Sequence, residues 1–147
     1  MASKRQLSGM QGVYLVAAEL SRLGYIASPT SRSARAADLL VTDQACKRAH
    51  SVQVKTNSSK SSYWLLGKDA KELRSPSHVY VFVAIRPKAP LVSFFVVPSE
   101  FVAKHTYEER FGEGTWYSFT FADAAPFENQ WLQHFGPPYA EEPSPEG

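Results

Sequence analysis

Cysteine is nearly absent from this sequence: Cys46 is the sole one among 147 residues. A single thiol excludes an internal disulfide framework and a zinc site built from cysteines, and it suits a reduced, cytoplasmic protein. Long hydrophobic runs are missing too. No apolar stretch approaches the roughly 20 residues that span a bilayer. The basic start, MASKRQLSG, lacks the apolar stretch and cleavage site of a secretory leader, so a cytoplasmic location is expected. His50, His78, His105 and His134 are scattered without ligand-like spacing, and none is assigned to a metal. No internal repeat stands out.

What is present is ordinary for a folded chain: 44% hydrophobic and 20% charged residues, enough length for one domain with a substantial core. The end differs. From Gly136 it reads GPPYAEEPSPEG, too rich in proline and acid to offset its ordering entropy by burial. A single domain is expected over residues 1–136, followed by a flexible Pro/Glu-rich tail over 137–147. The net charge of +2 conceals an asymmetry. Residues 1–75 carry 12 Lys and Arg against 5 Asp and Glu, and residues 76–147 carry 4 against 9. A basic half suits a polyanionic partner, because displaced counterions supply affinity independent of sequence.

The clearest helix runs from Gly9 to Gly24, with Val13, Val16, Ala17, Leu20 and Leu23 forming one apolar stripe. Ser8 is its expected N-cap and Gly24 its left-handed C-terminal stop. A short strand is expected over residues 25–28, then a polar, basic loop to residue 36. Asp38 to Thr42 and Ser51 to Thr56 read as two strands of an antiparallel hairpin. In that register Gln53 and Lys55 face one way, Val52 and Val54 the other. A helical turn over 68–73 follows, and then buried strands at 78–85 and 91–97. A helix capped by Ser99 is expected to reach about Tyr107, a strand to cover 115–121 and a helix 126–135. The order argues an α+β or mixed α/β fold around one central sheet.

Asp38, Gln53 and Lys55 together carry the chemistry. Cleaving a phosphodiester with a divalent metal takes acidic oxygens to hold a hard cation, and a cation beside the attacking water or scissile phosphate. A hairpin brings an acid on one strand to a pair on the next. This arrangement resembles the PD-(D/E)XK nuclease superfamily, which includes many restriction enzymes, archaeal-type Holliday junction resolvases and some homing endonucleases. The helix Gly12–Leu20 with Leu23-Gly24-Tyr25 resembles the first helix of small resolvase-like members. The later order Tyr63-Trp64, Val79–Val83 and Phe94–Pro98 is similar as well. The resemblance spans about Gly9 to Phe135.

The resemblance implies a restriction-endonuclease-like core, a central mixed sheet flanked by helices, and a metal-dependent DNA endonuclease. Asp38 matches the first metal ligand and Lys55 the lysine that assists the nucleophile and phosphate. Gln53 stands where a second acid is usual, so a Gln-x-Lys motif replaces the acidic form. Related sequences often carry Gly-Glu where this chain has Gly12-Val13. Glu19, six residues on and about 120° around the helix, is the acid expected to substitute. The implied cofactor is Mg²⁺, with Mn²⁺ possible. The implied partner is DNA, cut by a homodimer or larger homo-oligomer. Arg32, Arg35, Lys47, Arg48 and Lys60, in loops around the motif, are expected to contact phosphates.

Blander roles compete residue by residue. Asp38 can cap a strand or neutralise Arg35, Lys55 can be a solvated edge residue, and Glu19 can pair with Arg22 or Arg5. Tyr63, Trp64, Trp116 and Trp131 can stack on bases, but aromatic core packing is commoner. At the level of function the alternative is a catalytically inactive nuclease-fold module that binds DNA or a protein. A third possibility is an unrelated small α+β protein with a protein partner.

Overall fold

The computed structural model describes residues 1–31 and 36–139. Helix α1 spans Lys4–Leu23, starting five residues before the expected Gly9. The cap is Ser3, not Ser8: the Ser3 hydroxyl accepts from the Gln6 amide, and the Gln6 side chain accepts from the Ser3 amide. This reciprocal capping box satisfies two orphan donors of the first turn. Gly24 ends the helix at φ 102° as expected.

Strands β1 (Ile26–Pro29), β2 (Leu39–Thr42) and β3 (Ala49–Asn57) follow as an antiparallel run. Next come β4 (Tyr63–Leu66), the short α2 (Asp69–Glu72), β5 (His78–Ile85) and β6 (Val92–Pro98). β3 and β5 pair in parallel, and β6 returns antiparallel to β5, giving the order β1-β2-β3-β5-β6. A parallel pair needs a crossover, and the segment containing β4 and α2 provides it. This is the central mixed sheet flanked by helices that the sequence leads one to expect.

The chain also builds a second sheet. Helix α3 (Ser99–His105) stops two residues short of Tyr107, and Tyr107–Phe111 is a strand, β7, paired with β8 (Gly114–Thr120). With β4 they form a three-stranded sheet in the order β4-β8-β7. Ser99 does not cap α3. Its hydroxyl donates to the Ser75 carbonyl and accepts from the Ser75 amide, tying the helix to the segment before β5. The last expected helix is split into α4 (Phe121–Ala124), a 3₁₀ turn at Ala125–Phe127 and α5 (Trp131–Phe135).

The five-stranded sheet is covered on both faces, which explains why β5 is buried from His78 to Ala84 and mostly apolar. One face packs Val52, Val54, Val79, Val81, Val83 and Val96 against Val16 and Leu20 of α1 and Trp131 and Phe135 of α5. The other packs Tyr80, Phe82, Phe95 and Val97 against Trp64, Val102 and Phe119. Gly12 lets α1 approach β3: a Cβ there would lie 1.8 Å from the Thr56 hydroxyl oxygen. Beyond Phe135 the chain is held to the body. Tyr25 donates its hydroxyl to the Gly136 carbonyl, Arg48 reaches the Pro137 carbonyl at 2.9 Å, and the Gln44 amide reaches that of Pro138 at 2.7 Å.

Candidate active site

The site grows out of the point where β2 and β3 part. Their ladder ends at Leu39↔Val52. Beyond it the Asp38 amide still donates to the Val52 carbonyl at 2.8 Å. The Val54 amide, two residues on and pointing to the same side of β3, has no β2 residue opposite it. Asp38 fills that place with its side chain: the Val54 N–H donates to Oδ2 at 2.8 Å. The carboxylate is therefore anchored beside the middle residue of Gln53-Val54-Lys55. An ionised carboxylate accepting from a backbone N–H makes a strong, orienting bond.

Gln53 and Lys55 lie opposite Tyr80 and Phe82 in the β3–β5 register, on one face of the strand, and both are half-buried. Burial pushes the Lys55 ammonium below the usual lysine value, the Asp38 carboxylate acts in the opposite direction, and the Arg5 charge adds to the lowering. The ammonium is thus poorly solvated and within the field of Asp38, a setting in which a lysine interacts strongly with an anion. His78, on the same face, has its Nδ1 2.6 Å from the Ser51 hydroxyl. Burial holds its pKa below the ordinary histidine value, with Asp38 again opposing.

On the α1 side, Asp38 and Val54 line a recess of about 890 Å³ together with Gln6, Met10, Val13 and Tyr14. Val13 thus lines the same recess as Asp38. Glu19 is not among the residues lining this recess. It accepts from Arg22 at 3.1 Å and 2.5 Å, and that hydrogen bonding lowers its pKa against a smaller effect of burial. Six residues further along α1 carry it about 9 Å along the axis as well as around it.

The expected phosphate contacts divide. Lys60 is exposed in the loop after β3, at the end of the strand that carries Lys55. Lys47 and Arg48 sit in the turn at the opposite end of the hairpin, where their amides donate to Asp43 Oδ1 at 2.8 Å and 3.0 Å. The four residues of β2 lie between Asp38 and Asp43, and five steps of extended chain cover roughly 16 Å. Arg32 and Arg35 lie outside the described residues. Trp64 and Trp131 are core residues, and the Trp64 indole donates to the Val83 carbonyl at 2.9 Å. Tyr63 and Trp116 are exposed. Reading α1 only from Gly9 missed Gln6 as a lining residue. The Ser3-x-x-Gln6 spacing is the sequence signal that would have extended the helix to it.

Among the described residues no group of three or more His, Cys, Asp or Glu gathers to hold a metal ion. The one donor placed at the parting of β2 and β3 is the Asp38 carboxylate; Gln53, on the adjoining strand, lies opposite Tyr80 and does not line the recess that Asp38 and Val54 share. Mg²⁺ ordinarily completes its shell with waters and substrate phosphate oxygens. A single carboxylate does not cage such a cation, so waters and other ligands from outside the protein would fill most of its shell.

No protein-family model matches this chain, and no curated protein does. Solved structures do. The chain is similar to Hjc of Archaeoglobus fulgidus, a Holliday junction resolvase from an archaeal hyperthermophile, with 14% identity and a TM-score of 0.55 over 90% of this chain and 98% of that one. It is similar to the bacterial homing endonuclease I-Ssp6803I, with 15% identity and a TM-score of 0.56 over 90% and 91%. At such identities the likeness is one of fold: this chain has the mixed-sheet, restriction-endonuclease-like fold of a resolvase and a homing endonuclease.

Proposed function

We propose that this protein binds DNA and hydrolyses its phosphodiester backbone with the help of a divalent cation, Mg²⁺ or Mn²⁺. The observation that carries the reading is the Asp38–Val54 bond. It fixes a carboxylate beside a Gln-x-Lys pair in which the lysine is poorly solvated and within the field of that carboxylate. Asp38 and Gln53 would hold the cation, which lowers the pKa of a bound water and polarises the phosphoryl oxygen. Lys55 stabilises negative charge on the phosphate or the attacking oxygen. Lys60, Arg32 and Arg35 contact the DNA backbone and position it. Cutting both strands of a duplex calls for two sites, hence a homodimer or larger assembly.

The assay incubates plasmid and branched DNA with the protein and Mg²⁺ or Mn²⁺, beside Asp38→Ala and Lys55→Ala. Cutting by the wild type and its loss in both variants is the expected result. Equal residual cutting by all three proteins sinks the reading.

A second reading is favoured by Val13, which lines the recess with Asp38 at a position where related sequences often carry a glutamate: a nuclease scaffold that binds DNA without cutting it. Its signature is salt-sensitive binding that is independent of metal and indifferent to Asp38→Ala. Val13→Glu separates the two. In the hydrolytic reading the added carboxylate lowers the Mg²⁺ concentration needed for cutting. In the binding reading no metal-dependent product forms with the wild type.

A further inference from the structure

The three-stranded sheet takes no part in the site just described, and among the described residues it leaves an edge open. β7 ends the order β4-β8-β7, and each of its residues is exposed. Only Gly112 and Glu113 separate Phe111 from its partner Gly114, and Gly112 has φ 59°, as a two-residue hairpin beginning with glycine requires. In such a hairpin the closing pair is hydrogen-bonded, and hydrogen-bonded pairs then alternate. Tyr107, Glu109 and Phe111 therefore turn their backbone groups towards β8. Those of Glu108 and Arg110 point to the open edge. An exposed edge of this kind is a template for another strand.

We propose that β7 pairs antiparallel with β7 of a second copy of this chain, about a twofold axis at Glu109. The two three-stranded sheets then join into one of six strands. The strand reads Tyr-Glu-Glu-Arg-Phe, and reversal about Glu109 sets Glu108 opposite Arg110 of the second copy and Tyr107 opposite Phe111. The 108–110 pairs are also the ones whose backbone groups face the open edge, so charge and hydrogen bonding demand the same register. Shifting the axis to Glu108 or Arg110 opposes like charges at a hydrogen-bonded pair. An isologous contact needs this kind of self-complementarity.

The side chains agree. The registers put Tyr63, Leu65, Tyr107, Phe111 and Trp116 on the outer face of the sheet, with exposures of 36–59%. The rings of Phe111 and Trp116 meet edge to face at 6.1 Å. Exposed aromatic side chains gathered on one sheet face, here interrupted by Glu109 and Ser118, are a common feature of interaction surfaces. Pairing at β7 brings the aromatic ends of two such faces together. Glu109 meets its own copy across the axis, and this like-charge contact is the weak point of the interface. Glu108 is also shared within the chain, with Lys71 at 3.6 Å and the Tyr117 hydroxyl at 3.3 Å.

The test reads mass, so it stands or falls apart from any nuclease activity. Light scattering after size exclusion of the full chain should give twice the 16.4 kDa monomer. Glu108→Arg and Arg110→Glu should each weaken dimerisation about tenfold, since symmetry repeats each like-charge pair twice. The double exchange should restore the dimer, and Glu109→Gln should tighten it. Circular dichroism checks that each variant is folded. A wild type that stays monomeric at its highest soluble concentration overturns the proposal. So does a dimer that both single exchanges leave intact, or a double exchange that stays folded and monomeric.

Discussion

The two ends of the β2–β3 hairpin are built from the same residue types and do different work. At one end Asp43 is nearly buried and accepts from two amides, those of Lys47 and Arg48. These bonds, the Arg48 amide first, hold its carboxyl below the usual aspartate range. Arg48 then turns away to the Pro137 carbonyl. Acid and bases there close a turn and fasten the C-terminal segment. At the other end Asp38 accepts from the Val54 amide at the strand's departure point, lines an open recess and acts on a poorly solvated lysine. An aspartate beside basic residues thus closes a turn at one end and lines a candidate reaction centre at the other. What separates them is the surface they open onto.

The sharpest way to break this contrast is to delete each acid in turn. Asp38→Ala should cut DNA hydrolysis by about a hundredfold or more, the scale for losing a preorganised electrostatic group, with a smaller drop in thermal midpoint than Asp43→Ala because it strands one amide and not two. Asp43→Ala should lower the thermal midpoint by several degrees and leave the rate per folded molecule intact. Calorimetry beside a plasmid-nicking assay reads both, and an exchange of the two phenotypes would erase the distinction.

Next in size is the close approach of α1 at the Asp38 end. Gly12→Ala gains about 1 kcal/mol in helix propensity, but its Cβ meets Thr56 Oγ1 at 1.8 Å and Cβ at 3.1 Å. Overpacking of that kind costs about 1–3 kcal/mol, so a net loss is expected in urea unfolding. Gly9→Ala, with open space around it, should be neutral or stabilising.

A smaller effect concerns pH. Burial lowers the pKa of His50, His78 and His134 from the ordinary 6.5. Below pH 6.5 the unfolded chain therefore binds more protons than the native one, and stability should fall as pH drops through that range. Lys55 is lowered from 10.5. By the same sign, its unfavourable burial as an ammonium is relieved as pH rises from its folded pKa towards 10.5. Urea midpoints against pH should show both slopes, and His78→Gln and Lys55→Met should flatten the acid and the alkaline one respectively.

The smallest difference is in DNA binding. Lys60→Ala, at the Lys55 end, should reduce the slope of log affinity against log salt by about one. Lys47→Ala should leave it unchanged. Equal slopes would place the phosphate track along the whole hairpin.

Much of this was legible in the chain because it is local and periodic. The α1 stripe, the Gly24 stop, the β2–β3 hairpin and the facing of Gln53 and Lys55 follow from spacings of three, four and two. β7 was not legible. All five of its residues are exposed, so no inward side of Tyr-Glu-Glu-Arg-Phe declares a strand, and its pairing with β8 decides the matter. Ser99 looked like a cap, but it is bonded to Ser75, 24 residues away. The Glu19–Arg22 pair was one of the options its spacing allowed.

The residue order by itself determined the helix and strand periods, the split of charge between the two halves, and the identity of Asp38, Gln53, Lys55 and Val13. Only the tertiary structure decided what those residues meet. The parting of β2 and β3 supplied the Val54 amide for Asp38 and turned Val13 towards the recess. The hairpin's length carried Lys47 and Arg48 to the far end, and among the described residues the second sheet was left with an unpaired edge. Periodicity is written in neighbours along the chain. Burial, hydrogen-bond partners and electric fields depend on neighbours in space.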